Sequence, residues 1–229
     1  MKALVLFSGG VDSTTCLALA IDKYKNDNVL ALSISYGQKH QKEIDQAKKI
    51  VDYYKVKHIV LDLQKIFEDS NCPLLKNSNL EIPHESYEEQ IKKQKGNPVS
   101  TYVPFRNGLF LSVASSIALA HDYEIIYYGA HSDDSVGNAY PDTSKEFNES
   151  INKAIYLGSG NKLKVEAPFI NKNKSEVVKK GLELKVPYEL TWSCYEGKDK
   201  ACGICGTCID RKNAFKKNHV KDPIEYEVY

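Results

Sequence analysis

A short stretch near the N-terminus constrains the fold of this chain more than any other feature. An apolar run at residues 2–7 predicts a buried strand, and residues 15–23 have the composition of a helix. Between them lies a polar turn with two glycines, Ser8-Gly9-Gly10-Val11-Asp12-Ser13-Thr14. Such a strand-to-helix turn aims several backbone N–H groups and the positive end of the helix at one point, which favours a phosphate group there.

The order of residues in this turn narrows the kind of phosphate site. Neither G-x-x-x-x-G-K-S/T nor G-x-G-x-x-G is present. The order S-G-G-x-D-S-T instead resembles the pyrophosphatase loop (PP-loop) of enzymes that split ATP into AMP and pyrophosphate. The alternative is a plain tight turn with Asp12 or Ser13 as helix N-cap, which the several specified residue types disfavour. The expected ATP-binding residues are Phe7, Ser8, Gly9, Gly10, Val11, Asp12, Ser13, Thr14, Thr15, Cys16 and Leu17.

The segments that follow predict an α/β fold. Strands are expected at 28–36 and 58–63, with an amphipathic helix at 41–54 between them. This alternation predicts an open parallel sheet with helices on both faces, a Rossmann-like architecture in which ligands bind beyond the carboxyl ends of the strands. Later elements are predicted at 107–121 (helix), 124–130 (strand), 144–157 (helix), 163–168 (strand) and 175–184 (helix). The helix at 107–121 is apolar nearly all round, which predicts burial on more than one side, either between the sheet and the insertion or between two subunits.

Length and composition predict one main domain with a small appendage. With 229 residues, 42% of them apolar, the chain can bury one substantial core. We assign residues 1–190 to a nucleotide-binding domain and 191–229 to a C-terminal tail. Residues 64–101 are polar and predict an insertion with one short surface helix in the charged segment 85–95. Whether this insertion covers the site as a lid or is a disordered loop stays open.

Charge and hydropathy limit the partners. The formal net charge of +1 provides no overall basic footprint for nucleic acid, so no nucleic-acid partner is expected. No apolar run approaches the length of a membrane span or of a signal-peptide core, which predicts a cytoplasmic protein without a membrane partner. Six cysteines in such a protein are expected to be thiols or metal ligands rather than disulfides.

Four of these cysteines form a cluster near the C-terminus. Cys194 precedes a C-x-x-C-x-x-C run made by Cys202, Cys205 and Cys208. Four thiolates at this spacing predict one tetrahedral zinc ion, and a closed set of four protein ligands makes that zinc structural. A redox pair, an iron–sulfur cluster and a nucleic-acid-binding zinc ribbon are the alternatives. Basic and acidic residues are nearly equal in number after Leu190, which disfavours the ribbon.

Taken together with the loop, several further segments resemble the 7-cyano-7-deazaguanine synthase family, whose members make preQ0 for queuosine and related deazapurines. The resemblance covers nearly the whole chain. The segments that carry it are Tyr36-Gly37-Gln38-Lys39-His40 with Glu43, Val103-Pro104-Phe105-Arg106-Asn107, Asp133-Asp134, Tyr140-Pro141-Asp142, Lys174-Ser175-Glu176, and Ser193-Cys194-Tyr195 with the later cysteines and Arg211.

The resemblance implies an adenine nucleotide alpha hydrolase-like fold and a ligase that joins ammonia to 7-carboxy-7-deazaguanine. ATP would activate first the carboxylate and then the resulting amide, each time releasing pyrophosphate and later AMP. ATP with Mg²⁺ would be the co-substrate, with the loop and the metal holding the leaving pyrophosphate. The thiols outside the cluster have no nucleophile motif of a glutaminase, so free ammonia is expected. A homodimer is implied as well, and the apolar helix at 107–121 favours it.

The resemblance also implies roles for single residues. Lys174 would place its ammonium group on the ATP phosphates. Tyr36, Gln38 and His40 follow the second strand and would face the nucleotide or the deazaguanine, together with Tyr140. Arg106 would pair with a carboxylate or phosphate, and Asn107 would contact the site or cap a helix. One of Asp133, Asp134 and Asp142 would accept hydrogen bonds from the guanine-like base, and the others would cap helices or bind Mg²⁺.

One departure from the family pattern and two alternative functions remain to be considered. Thr143 stands where the family usually has a cysteine, which puts in doubt any role for a thiol there. Another PP-loop enzyme, acting on tRNA or in DNA modification or defence, is the nearest alternative, although a tRNA enzyme would be expected to carry a basic patch. A non-catalytic nucleotide-binding module is the more distant one, and the retained loop residues and Lys174 disfavour it.

Overall fold

A five-stranded parallel sheet forms the centre of the molecule. In the computed structural model, which describes residues 1–39, 42–197 and 199–228, the strands are β1 (Ala3–Leu6), β2 (Val29–Ser35), β3 (Lys57–Asp62), β4 (Ile125–Tyr127) and β5 (Lys164–Glu166). They lie in the order β3-β2-β1-β4-β5, with Ala3 of β1 opposite Val29 on one side and Ile125 on the other. All pairings are parallel, which confirms the predicted fold class.

Helices cover both faces of this sheet. The described chain contains α1 (Val11–Tyr24), α2 (Lys42–Tyr54), α3 (Tyr87–Gln94), α4 (Arg106–Ala120), α5 (Ser132–Ser135), α6 (Lys145–Gly158), α7 (Lys174–Glu183) and α8 (Gly206–Lys217). On one face α1, α2 and α7 contribute Leu17, Ile50 and Val177 to a core with β1. On the other face α4 and α6 contribute Leu111 and Ile155. Burial of these apolar layers drives the assembly of sheet and helices.

Two element boundaries differ from the prediction in ways that shape the site. Helix α1 begins at Val11, four residues earlier than predicted, because the Thr14 hydroxyl donates back to the Gly10 carbonyl at 2.7 Å and so fits inside the first turn. Strand β4 ends at Tyr127 instead of residue 130. After the strand, the backbone at Gly129 passes close to the first turn of α1: a Cβ on Gly129 would lie 3.1 Å from the Asp12 carbonyl carbon. The chain leaves the sheet at this close approach.

Within one chain helix α4 is only partly buried, and its burial on more than one side, which includes a contact between two subunits, stays a prediction. Only Gly108, Leu111, Ala114 and Ala118 are fully buried in it. Leu119, by contrast, is 39% exposed. The helix therefore packs against the sheet along its length and, through Leu109 and Phe110, against the cluster that contains the insertion, while Leu119 stays on its outer face.

The insertion at 64–101 is ordered and packs against the rest of the chain. Its helix α3 lies in the predicted charged segment and begins with a capping box, in which the Ser86 side chain accepts from the Glu89 N–H. The helix is not wholly on the surface, because Gln90 is buried and its side chain donates to the Glu85 carbonyl at 3.0 Å. Leu74, Leu75 and Ile82 of the insertion join a cluster that includes the four cysteines of the tail.

The C-terminal tail contains a helix, α8, that the sequence analysis did not predict. Its residues Ala214 and Phe215 pack against Val178 of α7 and Val11 of α1. Arg211 of α8 is 1% exposed and forms a bidentate ion pair with Asp222, with Nε–Oδ2 and Nη2–Oδ1 distances of 2.8 and 3.0 Å. The division at residue 190 stays a prediction. No helix within the described residues is both long and apolar enough to cross a membrane.

Candidate active site

A cavity of about 270 Å³ opens at the carboxyl edge of the sheet. Leu6 of β1, Ile34 of β2 and Tyr128, which follows β4, lie in its wall. β1 and β4 are neighbours in the sheet although they are far apart in the sequence, and this reversal of strand order is where open α/β sheets bind their ligands. The cavity therefore lies at the edge where the sequence predicts a site.

The glycine-containing loop forms one end of the cavity. Phe7, Ser8, Gly10, Asp12 and Ser13 all line it. The Ser8 and Ser13 hydroxyls are 3.0 Å apart, and the Gly10 N–H donates to Ser8 Oγ at 3.3 Å. Because Gly10 is the N-cap residue of α1, no side chain covers the start of that helix. Backbone N–H groups and hydroxyls are thus gathered at a helix N-terminus, which suits an anion.

Gly9 holds the loop against helix α2. Its φ of +83° lies in the left-handed region that favours glycine. A Cβ at this position would lie 2.8 Å from the Glu43 carbonyl oxygen and 2.9 Å from the Ala47 backbone nitrogen. From the other side the Trp192 N–H donates to the Gly9 carbonyl at 3.0 Å. The loop is therefore fixed between α2 and the C-terminal tail.

Asp12 and Lys174 form an ion pair at the loop end of the cavity. Burial raises the pKa of Asp12, but the Lys174 ammonium and His131, whose Nε2 lies 3.8 Å from Asp12 Oδ1, lower that pKa below its usual value. Asp12 Oδ1 itself is buried and has no hydrogen-bond partner within the described residues. The carboxylate is thus ionised, with one oxygen facing a position where a cation could bind.

Asp133 and Asp134 both lie at this end, in α5, but make different contacts. Asp133 is exposed, and its Oδ2 accepts from the Lys174 backbone N–H at 2.8 Å, which fixes the start of α7. Asp134 lines the cavity, accepts from the His131 N–H at 3.3 Å and lies 3.4 Å from His131 Nε2. Burial raises the pKa of Asp134, and His131 partly offsets that rise.

The opposite end of the cavity carries Tyr36, Arg106 and Glu43. Arg106 Nη1 donates to Tyr36 Oη at 3.0 Å, and the guanidinium carbon lies 5.0 Å from the centre of the Tyr36 ring. Gln38 Oε1 accepts from the Tyr36 N–H at 2.8 Å, which turns its side chain back onto the loop after β2. Burial raises the pKa of Glu43 to about 7, although Arg106 acts to lower it.

Asn107 lines the cavity, whereas Asp142 does not line it and instead hydrogen-bonds to Asn107. The Asn107 N–H donates to Asp142 Oδ2 at 2.8 Å, and Asn107 Nδ2 donates to Oδ1 at 3.1 Å. Asp142 is only 2% exposed. Both of its oxygens are therefore occupied at the start of α4.

Three tyrosines from distant parts of the chain meet above the cavity. Tyr87 Oη lies 2.9 Å from Tyr195 Oη and accepts from Tyr140 Oη at 3.1 Å, while Thr101 Oγ1 lies 2.6 Å from Tyr140 Oη. All three tyrosines line the cavity. They join the insertion, the loop after α5 and the C-terminal tail, so the insertion forms part of the cavity wall.

The remaining predicted residues do not line this cavity. Val11, Thr14, Thr15, Cys16 and Leu17 are buried in the core, where the Thr15 hydroxyl lies 2.8 Å from Tyr188 Oη. Burial, reinforced by Asp12, raises the pKa of the Cys16 thiol well above its usual value. Their assignment to ATP binding stays a prediction that rests on the motif. His40 lies outside the described residues.

Several cavity residues had no predicted role. Glu43 and Tyr195 stand in the quoted motifs, and their position there was the only signal of function. His131, Tyr87, Thr207 and Asp210 gave no signal at all, because each reaches the cavity through tertiary packing. Asp210 of α8 faces the loop end, where burial raises its pKa to about 6 while Lys174 and His131 act to lower it.

The four clustered cysteines could hold a metal ion. Their Sγ atoms all lie within 4.8 Å of one another and are buried, and Cys202 Sγ is 3.9 Å from Cys208 Sγ. In a tetrahedral site with zinc–sulfur bonds of about 2.3 Å, the sulfurs are about 3.8 Å apart, which is close to the distance between Cys202 Sγ and Cys208 Sγ. Backbone N–H groups of Gly197 and Cys202 point at Cys194 Sγ at 3.0 and 3.2 Å, as they would toward a thiolate. The donor set therefore fits a single tetrahedral ion.

Comparisons with known proteins agree with this geometry. The family model described as Queuosine biosynthesis protein QueC matches residues 2–219. The chain is 42% identical over 228 residues to the 7-cyano-7-deazaguanine synthase of Caldicellulosiruptor saccharolyticus, covering 100% of this chain and 96% of that protein. It is 41% identical over 225 residues to the 7-cyano-7-deazaguanine synthase of Archaeoglobus fulgidus, covering 98% and 90%.

Solved structures share the fold at low sequence identity. The U34-tRNA thiolase NcsA from Methanococcus maripaludis, solved with its 4Fe-4S cluster, has a TM-score of 0.53 at 18% identity, covering 96% of this chain and 67% of that one. The NMN synthetase of Francisella tularensis has a TM-score of 0.51 at 13% identity, covering 96% and 78%. At these identities the likeness shows the fold alone.

The close contact of Gly9 with α2 predicts a difference between two neighbouring glycine variants. Gly9→Ala adds a Cβ against backbone atoms at a positive φ, so we expect the free energy of unfolding to fall by about 2 kcal/mol or more. Gly10→Ala is the control, because its nearest neighbour is the rotatable Ser8 hydroxyl at 3.3 Å. Urea unfolding of both variants measures the difference, and an equal loss in both would contradict it.

Proposed function

The chain belongs to the QueC family of queuosine biosynthesis proteins, and we propose that it is a 7-cyano-7-deazaguanine synthase. In this reaction 7-carboxy-7-deazaguanine, ammonia and ATP give 7-cyano-7-deazaguanine, AMP and pyrophosphate, so the enzyme is a carbon–nitrogen ligase. The observation that carries the proposal is the full-length likeness to proteins of that name. We place the reaction in the cytoplasm, where ATP is available.

The loop end of the cavity suits the ATP half of this reaction. The substrate carboxylate attacks the α-phosphorus of ATP, and pyrophosphate leaves with the electron pair of the broken P–O bond. The N–H groups of the loop and the Lys174 ammonium would stabilise the growing negative charge. Asp12 and Asp134 would hold Mg²⁺, which neutralises phosphate oxygens when it is bound.

The other end of the cavity suits a flat, polar heterocycle. Tyr36, Phe110 and Trp192 provide aromatic surface, and Tyr36 lies 5.7 Å from Phe110 between ring centres. Arg106 provides a cationic donor fork at this end. We assign Tyr36, Gln38, Arg106, Asn107 and Tyr140 to substrate binding.

Two activations complete the proposed chemistry. Ammonia attacks the carbonyl carbon of the acyl adenylate, AMP leaves, and loss of a proton gives the amide. A second ATP adenylates the amide oxygen with release of pyrophosphate. Departure of AMP, together with loss of both protons from the nitrogen, then forms the nitrile. Cys16 and Cys72 are buried outside any nucleophile motif, which supports free ammonia as the nitrogen source.

No specific observation favours another PP-loop chemistry. A thiolation that relies on a reactive cysteine pair would need such a pair at the cavity, whereas four of the cysteines face one another in the tail and burial raises the pKa of Cys16 and of Cys72. A non-catalytic binding module would have no need of the Asp12–Lys174 pair at the loop.

The role of Lys174 is tested by a pair of lysine variants. We expect Lys174→Met to lower kcat/KM for ATP by about 100- to 1,000-fold, because a cation facing the leaving pyrophosphate is lost. Lys172→Met is the control, since that side chain is exposed and forms an ion pair with Glu176 at 3.0 Å, outside the cavity. Mass spectrometry would follow AMP, pyrophosphate and the nitrile formed from 7-carboxy-7-deazaguanine, ammonium and Mg-ATP.

The outcomes of this assay separate the parts of the proposal. Full activity in Lys174→Met would remove that lysine from catalysis. Release of AMP by the unmodified chain without a nitrile product would keep the loop chemistry and exclude this substrate.

We propose that the cysteine cluster binds one structural zinc ion. Metal analysis should find about one zinc per chain, and Cys205→Ser should lose it because a tetrahedral site then lacks a thiolate. Cys72→Ser is the control, since that thiol is equally buried but lies outside the cluster and should leave the zinc content unchanged. Iron and sulfide in place of zinc would contradict the proposal.

We propose that two chains associate through the outer apolar face of α4. Light scattering at micromolar concentration should give twice the mass of one chain. Leu119→Glu should shift the protein toward the single chain, because it adds a charge to that face. Val220→Glu is the control, since Val220 is 41% exposed, like Leu119 at 39%, but lies in the tail. An unchanged mass in both variants would place the contact elsewhere.

A further inference from the structure

Glu43 is a carboxylic acid in the cavity wall that the reaction steps above do not use. It lies in the first turn of α2, after the loop that follows β2. Its side chain lines the main cavity and also a smaller adjoining pocket, which it shares with Tyr36, Leu74 and Tyr195. Glu43 therefore faces the aromatic end of the cavity rather than the loop end.

Four other carboxylates around the cavity contact residues of this chain, and a fifth, Asp210, faces the loop end beside Lys174 and His131. Asp142 accepts two hydrogen bonds from Asn107, and Asp133 accepts from the Lys174 backbone. Asp12 pairs with Lys174, and Asp134 lies against His131 at the loop end. The task assigned from the sequence to one of the three aspartates, recognition of the base, is thus better placed on Glu43.

Arg106 complements Glu43 from the wall of the same cavity. Both residues lie beside Tyr36, and the positive charge of Arg106 favours the ionised form of Glu43. Among the described residues, however, Glu43 and Arg106 form no salt bridge with each other, and Arg106 Nη1 donates to Tyr36 Oη. A guanidinium group has five N–H donors, so Arg106 has donors left for a ligand.

A guanine-like ring offers a matching pattern on one edge. O6 is an acceptor, and N1–H and the 2-amino group beside it are donors. A carboxylate accepts two parallel N–H bonds, and a guanidinium group donates to a carbonyl oxygen. The N1 and 2-amino groups are also distant from position 7. A base held by them at Glu43 can therefore direct its 7-carboxylate toward the loop and ATP.

We propose that Glu43 accepts hydrogen bonds from N1–H and the 2-amino group of the deazaguanine while Arg106 donates to O6. This inference rests on the proposed function, since it names how that substrate is selected. It makes Glu43 and Arg106 the residues that distinguish a 2-amino base from one with hydrogen at that position.

The test compares 7-carboxy-7-deazaguanine with the analogue that carries hydrogen in place of the 2-amino group. Loss of a hydrogen bond to a buried charged group predicts that the unmodified enzyme has a kcat/KM about 10- to 100-fold lower for the analogue. Glu43→Gln replaces one acceptor by an NH₂ group, so the preference should fall below about threefold while KM for ATP stays within about twofold. Both values come from the rate of AMP release.

Asp45→Asn is the matched control, because Asp45 lies in the same helix but is exposed and pairs with Lys48 at 3.9 Å. It should keep the full preference. Equal kcat/KM values for the two compounds in the unmodified enzyme would overturn the inference without any variant, which covers the case in which Glu43→Gln fails to fold. A full preference retained in folded Glu43→Gln would overturn it too. An unmodified enzyme that converts neither compound would overturn the proposed function and this inference with it.

Discussion

The ion pair between Asp12 and Lys174 joins two parts of the chain that are 162 residues apart, at the point where the loop meets the cavity. A buried carboxylate is costly without a cation, so α1 and α7 must be positioned together for either residue to be tolerated there. The surroundings support that position, because Asp133 fixes the Lys174 backbone and Asn173 caps α7. The pair places a negative and a positive charge at the loop, where the proposed ATP and Mg²⁺ would bring charges of the same two signs.

The polar residues around the cavity fall into two groups by their contacts. Asp133 and Asp142 accept hydrogen bonds from backbone or side-chain donors of this chain, and so position Lys174 and Asn107. Asp12 and Glu43 face the cavity from its two ends. This separation explains how several acidic groups coexist near the proposed phosphate site, because hydrogen bonds stabilise the carboxylates that need no ligand.

The sequence predicted the elements well and the cavity wall only in part. The spacing of apolar residues and the turn residues depend on local sequence. The predicted positions of the strands, of α2 and α6, and of the insertion helix α3 were therefore confirmed to within a few residues. Helix α8 was missed because its buried residues include Cys208 and Arg211, which break the apolar pattern. His131 and Tyr87 could not be predicted at the cavity, because only the long-range packing of α5 and the insertion brings them there.

The cysteine cluster affects the cavity as well as the tail. Tyr195 follows Cys194 directly, and Thr207 and Asp210 flank Cys208, and all three line the cavity. Trp192 of the same segment donates to Gly9 of the loop. A metal ion that drew the four sulfurs together would therefore also set one wall of the cavity, and the tyrosine cluster extends that wall to the insertion. Distortion of the cluster would consequently reach the loop through two backbone segments, even though no cysteine of the cluster lines the main cavity.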